Sequence, residues 1–151
     1  MKPFHSIAMQ RALAEAESAG GRGEVPVGAV LTGPDGLILA ADGNRTLELT
    51  DPTAHAEILV IRAAAARIGS ERLTACDLHV TLEPCAMCAA AISFARIRRL
   101  YYGAADAKQG AVDNGSRFFT QATCHHAPEV YGGLEEARAC ELLITFFKER
   151  R

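Results

Sequence analysis

Residues 78–102 read LHVTLEPCAMCAAAISFARIRRLYY, and this stretch decides the fold. Leu78–Leu82 has the make-up of a strand, with His79 alternating on it. Pro84 is tolerated in a first helical turn and opens an Ala-rich helix running to about Arg96. Ile97–Tyr102 alternates poorly, yet it is β-branched and aromatic enough for a second strand. Upstream, Asp51-Pro52 reads as the start of another helix, because Asp caps free N–H groups. Ile58, Ile61, Ala65 and Ile68 give that helix an apolar face, and Gly69 closes it. Further upstream, Val27–Thr32 and Leu37–Ala41 flank the turn Gly33-Pro34-Asp35-Gly36 and form a hairpin. Met9, Ala12, Leu13 and Ala16 mark a first helix that ends at Gly20-Gly21. Downstream, 104–131 is rich in Gly, Asp and Asn and irregular, with room for one short strand. Ala137, Cys140, Ile144 and Phe147 then mark a final amphipathic helix. Strands alternating with helices after an initial hairpin predict an α/β fold: three α/β/α layers around a mixed sheet of about five strands.

The chain of 151 residues fits one domain, 1–151, with 49% apolar and 23% charged residues, an ordinary globular balance. Five cysteines are an odd number and only Cys85 and Cys88 are close together, which is no disulfide framework. They suit a reducing cytoplasm. Residues 1–23 hold no apolar run of the kind a signal peptide needs, and no segment is apolar for long enough to span a bilayer. A net charge of −2 makes no electrostatic case for nucleic acid over the whole surface, so any RNA contact must use local patches.

His55-Ala56-Glu57 and Pro84-Cys85-Ala86-Met87-Cys88 each fall at an expected helix start. Cys85 and Cys88, three apart on one helix face, can reach one ion. The positive end of that helix favours thiolate over thiol. With a nitrogen from His55 they make three protein ligands for zinc, one ion per chain, and leave a fourth position for water. Structural zinc usually has four protein ligands, so an open position indicates catalysis, with the water activated near neutral pH. Glu57 can stand beside that water and move its proton without binding the metal. Glu57 and His55 do not share one side of a regular helix, so the metal is expected off the helix end, where first-turn side chains converge.

Other roles for these residues remain open at this point. Cys-x-x-Cys alone can be a thioredoxin-like redox pair. A structural zinc would need a fourth ligand, for which Cys76, His79 or Cys124-His125-His126 are available. Those residues also have plain readings: Cys76 precedes a strand, His79 lies on it, and 124–126 is a loop. Cys140 falls on the apolar face of the last helix and reads as core.

His-x-Glu followed by Pro-Cys-x-x-Cys is the signature of the zinc nucleobase deaminases. Nearly end to end, the chain resembles the bacterial tRNA-specific adenosine deaminases of the cytidine deaminase-like superfamily. The likeness runs through Glu24–Val30, Asn44-Arg45, Asp51–Glu57, Val80–Cys85, Gly103-Ala104, Asp106-Ala107-Lys108 and Gly110-Ala111. The zinc motif marks the superfamily. Asp106–Lys108 and the last helix, with Phe146-Phe147, point to the tRNA branch. The resemblance implies conversion of adenosine to inosine at the wobble position of an arginine tRNA anticodon loop, by a homodimer that holds RNA across both subunits. It implies that His55, Cys85 and Cys88 bind zinc and that Glu57 shuttles protons. By the same resemblance Asn44 bonds the flipped base, Val27 and Leu82 wall it, and the Ala56 N–H helps hold the attacking oxygen. Asp106 and Lys108 touch ribose or phosphate, and Phe147 supports the splayed nucleotides.

Val27 and Leu82 can equally be core, Asn44 a turn residue, and Phe147 part of a buried helix face. Arg96, Arg98 and Arg99, like Lys148, Arg150 and Arg151, are either phosphate contacts or a solvated surface. Ala105 departs from the family, which often has Arg there, and Glu149 interrupts the basic tail. Both bear on the RNA grip and leave the hydrolytic residues untouched. Two rival functions stand beside RNA deamination: deamination of a free base or nucleoside (guanine, cytosine or cytidine), and a non-enzymatic zinc module that binds nucleic acid. Glu57 separates the latter, because a structural site has no use for such a carboxylate.

Overall fold

The computed structural model describes residues 4–150, so Arg151 lies outside the described residues. Chain order is α1 (Phe4–Gly21), β1 (Gly28–Thr32), β2 (Ile38–Gly43), α2 (Ala56–Ile68), β3 (Asp77–Leu82), α3 (Ala86–Ala95), β4 (Arg99–Ala104), β5 (Glu129–Tyr131) and α4 (Glu136–Glu149), with a 3-10 turn at Phe118–Thr120. The strands form one sheet in the order β2-β1-β3-β4-β5. β1 pairs antiparallel with β2 and β3, whereas β3–β4 and β4–β5 are parallel. α1 and α4 cover one face; α2 and α3 cover the other. The expected three-layer mixed sheet is therefore present.

Burial explains the layering. Ala29, Leu31, Leu78, Val80, Leu100 and Tyr102 project from alternate strand positions into one apolar cluster with Ala56, Val60 and Ala64 of α2 and Ile92 of α3. Val30 projects the other way, onto Ala8, Met9 and Ala12 of α1. Gly28 is where α1 comes closest to the sheet. A Cβ there would lie 2.0 Å from the Ala12 carbonyl oxygen and 2.6 Å from the Ala16 nitrogen. The hairpin turn is held by Gly33 N–H to Leu37 O (2.9 Å), by Leu37 N–H to Asp35 Oδ1 (3.1 Å), and by Gly36 at φ 82°. No helix among the described residues is long and apolar enough to cross a membrane.

Helix ends and one helix face differ from expectation. α2 does not start at Asp51-Pro52; it starts at Ala56, with His55 at the N-cap. Asp51 accepts instead from the Thr53 N–H (2.9 Å) and hydroxyl (2.7 Å), closing a turn that delivers Ala54 and His55 to the helix. α3 starts two residues after Pro84, with Cys85 at the N-cap. Ile68 is exposed at the end of α2. In α4 the buried residues are Ala139 and Phe146, while Ala137, Ile144 and Phe147 face outward and Cys140 is half-buried. The period was right and the phase was wrong, because α4 lies across the edge of α1 and β4 and buries only a narrow stripe.

Candidate active site and metal centre

The end of the Asp51–Thr53 turn and the end of β3 each lead straight into a helix N-terminus. His55 and Cys85 occupy the two N-cap positions in extended backbone, at φ −73° and −74°, and neither side chain caps its own helix. Both are thus free to turn toward each other. His55 Nδ1 lies 3.7 Å from Cys85 Sγ and 3.5 Å from Cys88 Sγ. All three donor atoms fall within 4.8 Å of one another, the one such group of His, Cys, Asp or Glu among the described residues. Cys88, one turn into α3, is fully buried, and the other two are half-buried. No other residue named as a possible fourth ligand joins them. Cys124 donates to the His126 carbonyl (3.1 Å), Cys76 immediately precedes β3, and His79 lies within it.

The electrostatics of this group ask for a cation. The Cys85 thiol is pulled down to about 4, first by the hydrogen bond from Cys88, against its burial, and then by His55 and the Cys88 N–H. Cys88 is pushed up because it donates to Cys85, because it is buried, and because Glu57 is near. A metal ion binds the thiolate form, and so displaces thiol protons from sulfurs placed this close to an imidazole. His55 is raised by the hydrogen bond with Cys85, against desolvation. One nitrogen and two sulfurs suit zinc. The donor set therefore fits one zinc ion.

Glu57, on the first turn of α2, is 4% exposed and its Oε1 has no hydrogen-bond partner among the described residues. Burial pushes its carboxyl up, above the usual range. A buried carboxylate oxygen left open costs free energy, so its presence calls for a functional reason. Asn44 follows β2, and its Oδ1 accepts the Ala56 N–H at 2.8 Å. That bond fixes the amide orientation: the oxygen faces the helix, so the NH2 end remains as a donor. The Ala56 N–H, expected to help hold the attacking oxygen, donates to Asn44 in this structure. Val27 is buried and Leu82 half-buried, both against the cluster that contains Ala56.

Asp106 and Lys108 lie in the loop after β4. Asp106 Oδ1 accepts the N–H groups of Lys108 and Gln109, both at 3.0 Å, and Lys108 is exposed. Phe147 is 49% exposed on the solvent side of α4 rather than on a buried face. Arg98 is committed to Asp77, with bonds of 3.0 Å from Nε and Nη2, and Arg99 pairs with Asp77 and Glu129. Arg150 sits 3.6 Å over the Phe146 ring. Two further carboxylates, Glu24 and Glu83, are buried. Glu24 accepts the N–H groups of Leu47 (3.1 Å) and Glu48 (2.9 Å), and Glu83 accepts five donors from 106–114. Their signal was an acid flanked by apolar residues and Pro, in Glu24-Val25-Pro26 and in Leu82-Glu83-Pro84.

Two helix N-termini bearing His-x-Glu and Cys-x-x-Cys over a mixed sheet define a class. Residues 2–104 match the family described as the cytidine and deoxycytidylate deaminase zinc-binding region, and the chain belongs to it: it is a zinc-dependent deaminase. Within that class it falls among the tRNA-specific adenosine deaminases. It is 65% identical over 143 residues to the tRNA-specific adenosine deaminase of Agrobacterium fabrum, covering 95% of this chain and 93% of that one. It is 44% identical to the enzyme of the same name from Rickettsia bellii, covering 95% and 99%. A structure from work on A-to-I editing by tRNA:A34 deaminases superposes with a TM-score of 0.90 at 64% identity, covering 91% of this chain and 99% of that one.

Proposed function

We propose that this chain hydrolyses adenosine to inosine in RNA, at the wobble position of an arginine tRNA anticodon. The observation that carries the chemistry is Glu57: a buried carboxylate with one unpartnered oxygen, next to three convergent metal donors. His55, Cys85 and Cys88 would hold the zinc. When bound, zinc supplies Lewis-acid activation of water near neutral pH. Glu57 takes one proton from the attacking water and gives it to the ring nitrogen, then carries the second, from the hydroxyl of the adduct, to the amino group, which leaves as ammonia. Its raised affinity for protons suits that second task. Asn44, anchored through Oδ1, presents its NH2 to an acceptor on the extruded base. Val27 and Leu82 form apolar walls. The Ala56 N–H acts by holding Asn44.

Lys108 meets a phosphate of the anticodon loop. Asp106 shapes its own turn and offers its remaining oxygen to a ribose hydroxyl, because a carboxylate and a phosphate repel. The exposed ring of Phe147 is available to splayed nucleotides. RNA as substrate is favoured by the 65% identity to a tRNA-specific relative over nearly all of both chains. The working unit is read as a homodimer in the cytoplasm, where reducing conditions keep the five free cysteines in use as thiols and ligands.

The test is deamination of an arginine anticodon stem-loop carrying adenosine at the wobble position, with free adenosine, guanine, cytosine and cytidine in parallel. Inosine in the stem-loop alone is expected. Turnover of a free base or nucleoside, with none on RNA, would leave the hydrolytic chemistry standing and overturn the substrate.

A further inference from the structure

Between β4 and β5 the chain runs from 105 to 128 with one 3-10 turn and no strand of its own. Its backbone N–H groups must find partners elsewhere. In the half nearest the metal donors, one side chain accepts four of them, those of Asp106, Val112, Asp113 and Asn114. Glu83 is 2% exposed and stands between β3 and the ligand Cys85. Its Oε1 accepts the Asp106 N–H (3.0 Å) and the Asn114 side-chain amide (2.7 Å). Its Oε2 accepts three consecutive N–H groups, those of Val112 (3.1 Å), Asp113 (2.9 Å) and Asn114 (3.0 Å). Three amides converging on one oxygen make a nest of the kind that binds anions. The anion in it is part of the chain.

The middle of the loop is tied to the ligand segment itself. The Ala111 N–H donates to the Pro84 carbonyl (2.9 Å), and Gly110 forms a β-bridge with Cys85. Gly110 has no room for a side chain, since a Cβ would lie 2.4 Å from the Asp106 carbonyl oxygen and 2.6 Å from the Glu83 carboxyl carbon. With both ends and the middle fastened, the apex of Ala107, Lys108 and Gln109 stands out as the one continuous exposed run of 106–114, apart from the single residue Asp113. We infer that Glu83 is a positioning residue for RNA binding: its carboxylate is the template that folds 106–114 against the metal-ligand segment and aims the Lys108 apex at the substrate. This rests on RNA being the substrate. Glu83 touches neither substrate nor metal in this role, so its loss weakens binding and leaves the chemical step.

The test is Glu83→Gln. Gln has nearly the same volume, but its NH2 must face donors whichever way the amide is turned, so part of the nest is left without an acceptor. The expected result is one zinc per chain, kcat within a few-fold of wild type, and KM for the anticodon stem-loop raised by about tenfold or more. Hydrogen exchange at the amides of 106 and 112–114 should speed up in the same protein. Asn114→Ala removes one of the five donors, leaves Glu83 itself intact, and should raise KM by a smaller factor. It serves as the test if Glu83→Gln does not fold. An unchanged KM in both variants, or loss of zinc together with kcat, would overturn the role. Wild-type protein that deaminates only a free base would refute the RNA reading by itself. Wild-type exchange rates in Glu83→Gln would refute the template independently of any substrate.

Discussion

Glu57 and the three metal donors divide the labour at the residue scale, and two substitutions separate them. Glu57 binds no metal in the proposed mechanism, and its Oε1 is left open. Glu57→Ala should keep one zinc per chain and lose turnover by about 10²–10⁴-fold, the usual contribution of a positioned acid–base group. Single-turnover rates with metal analysis check this; activity within about tenfold of wild type would remove the proton-shuttle role. Cys88 is the converse case. It is fully buried, and its sulfur faces His55 Nδ1 at 3.5 Å. Cys88→Ala should lose zinc, because thiolates make up two of the three donors. Full zinc occupancy by metal analysis would refute the ligand set. A zinc module without catalysis predicts the opposite for Glu57, namely that folding or metal binding fails along with it.

Gly28 shows what the elements require of one another. It opens β1 directly beneath α1, where a Cβ would run into the Ala12 carbonyl and the Ala16 amide. Gly28→Ala should push α1 off the sheet and cost about 3 kcal/mol, or about 6–12 °C in Tm for a chain of this length. Gly21, at the end of the same helix, meets nothing within 4 Å. Gly21→Ala should therefore leave thermal stability at or above wild type. Equal losses in the two variants would show that helix ends, not close approach, set the effect. Most of the layering was legible in the sequence because Met9, Ala12, Leu13 and Ala16 keep a helical period and Gly33–Gly36 allows little but a turn. The metal donors were legible because three residue types at two helix starts suffice. Boundaries were harder to read. Asp51 looks like a cap until its carboxylate is seen to be used by Thr53, and the true helix start is held by Asn44, twelve residues upstream of Ala56. Glu24 and Glu83 went unread for the same reason: an acid that organises a loop through backbone N–H groups leaves no periodic trace in the sequence. The phase of α4 failed because Ile144 and Phe147 are exposed, and apolar period alone cannot say which face a neighbour covers.

At the scale of the whole molecule, the acid response is expected to follow a group packed on the α1 side of the sheet, whereas the metal donors lie at the starts of α2 and α3. His79 lies in the middle of β3, only 2% exposed, with Nδ1 unpartnered among the described residues. Tyr101 of β4 and His79 stack at 4.7 Å, and His5 of α1 stacks on Tyr101 at 5.3 Å. Burial lowers the His79 imidazole to about 4, with Asp77 and the Val30 backbone opposing and His5 assisting. Its proton affinity in the folded state is below that of the unfolded chain. The unfolded chain therefore takes up the proton first as pH falls. The stability tied to neutral His79 is complete above the unfolded value of 6.5 and is lost progressively down to about 4. The slope is about 1.4 kcal/mol per pH unit, and the total is about 3 kcal/mol at most. The hydrogen-bonded carboxylates act in a lower window. Glu24 is held below its ordinary 4.5 by the Glu48 and Leu47 N–H donors, in spite of burial, so its contribution fades only in stronger acid. His79→Phe keeps a ring to stack on Tyr101 and cannot titrate. Urea unfolding of both proteins from pH 7.5 to 4.5 should give a wild-type curve that falls away from the variant below about pH 6.5, by about 1.4 kcal/mol per unit. Acid release of zinc affects both proteins and cancels in the difference. Parallel curves across that range would mean that His79 has the same proton affinity in the folded and unfolded chains, and the acid response would then belong to other groups.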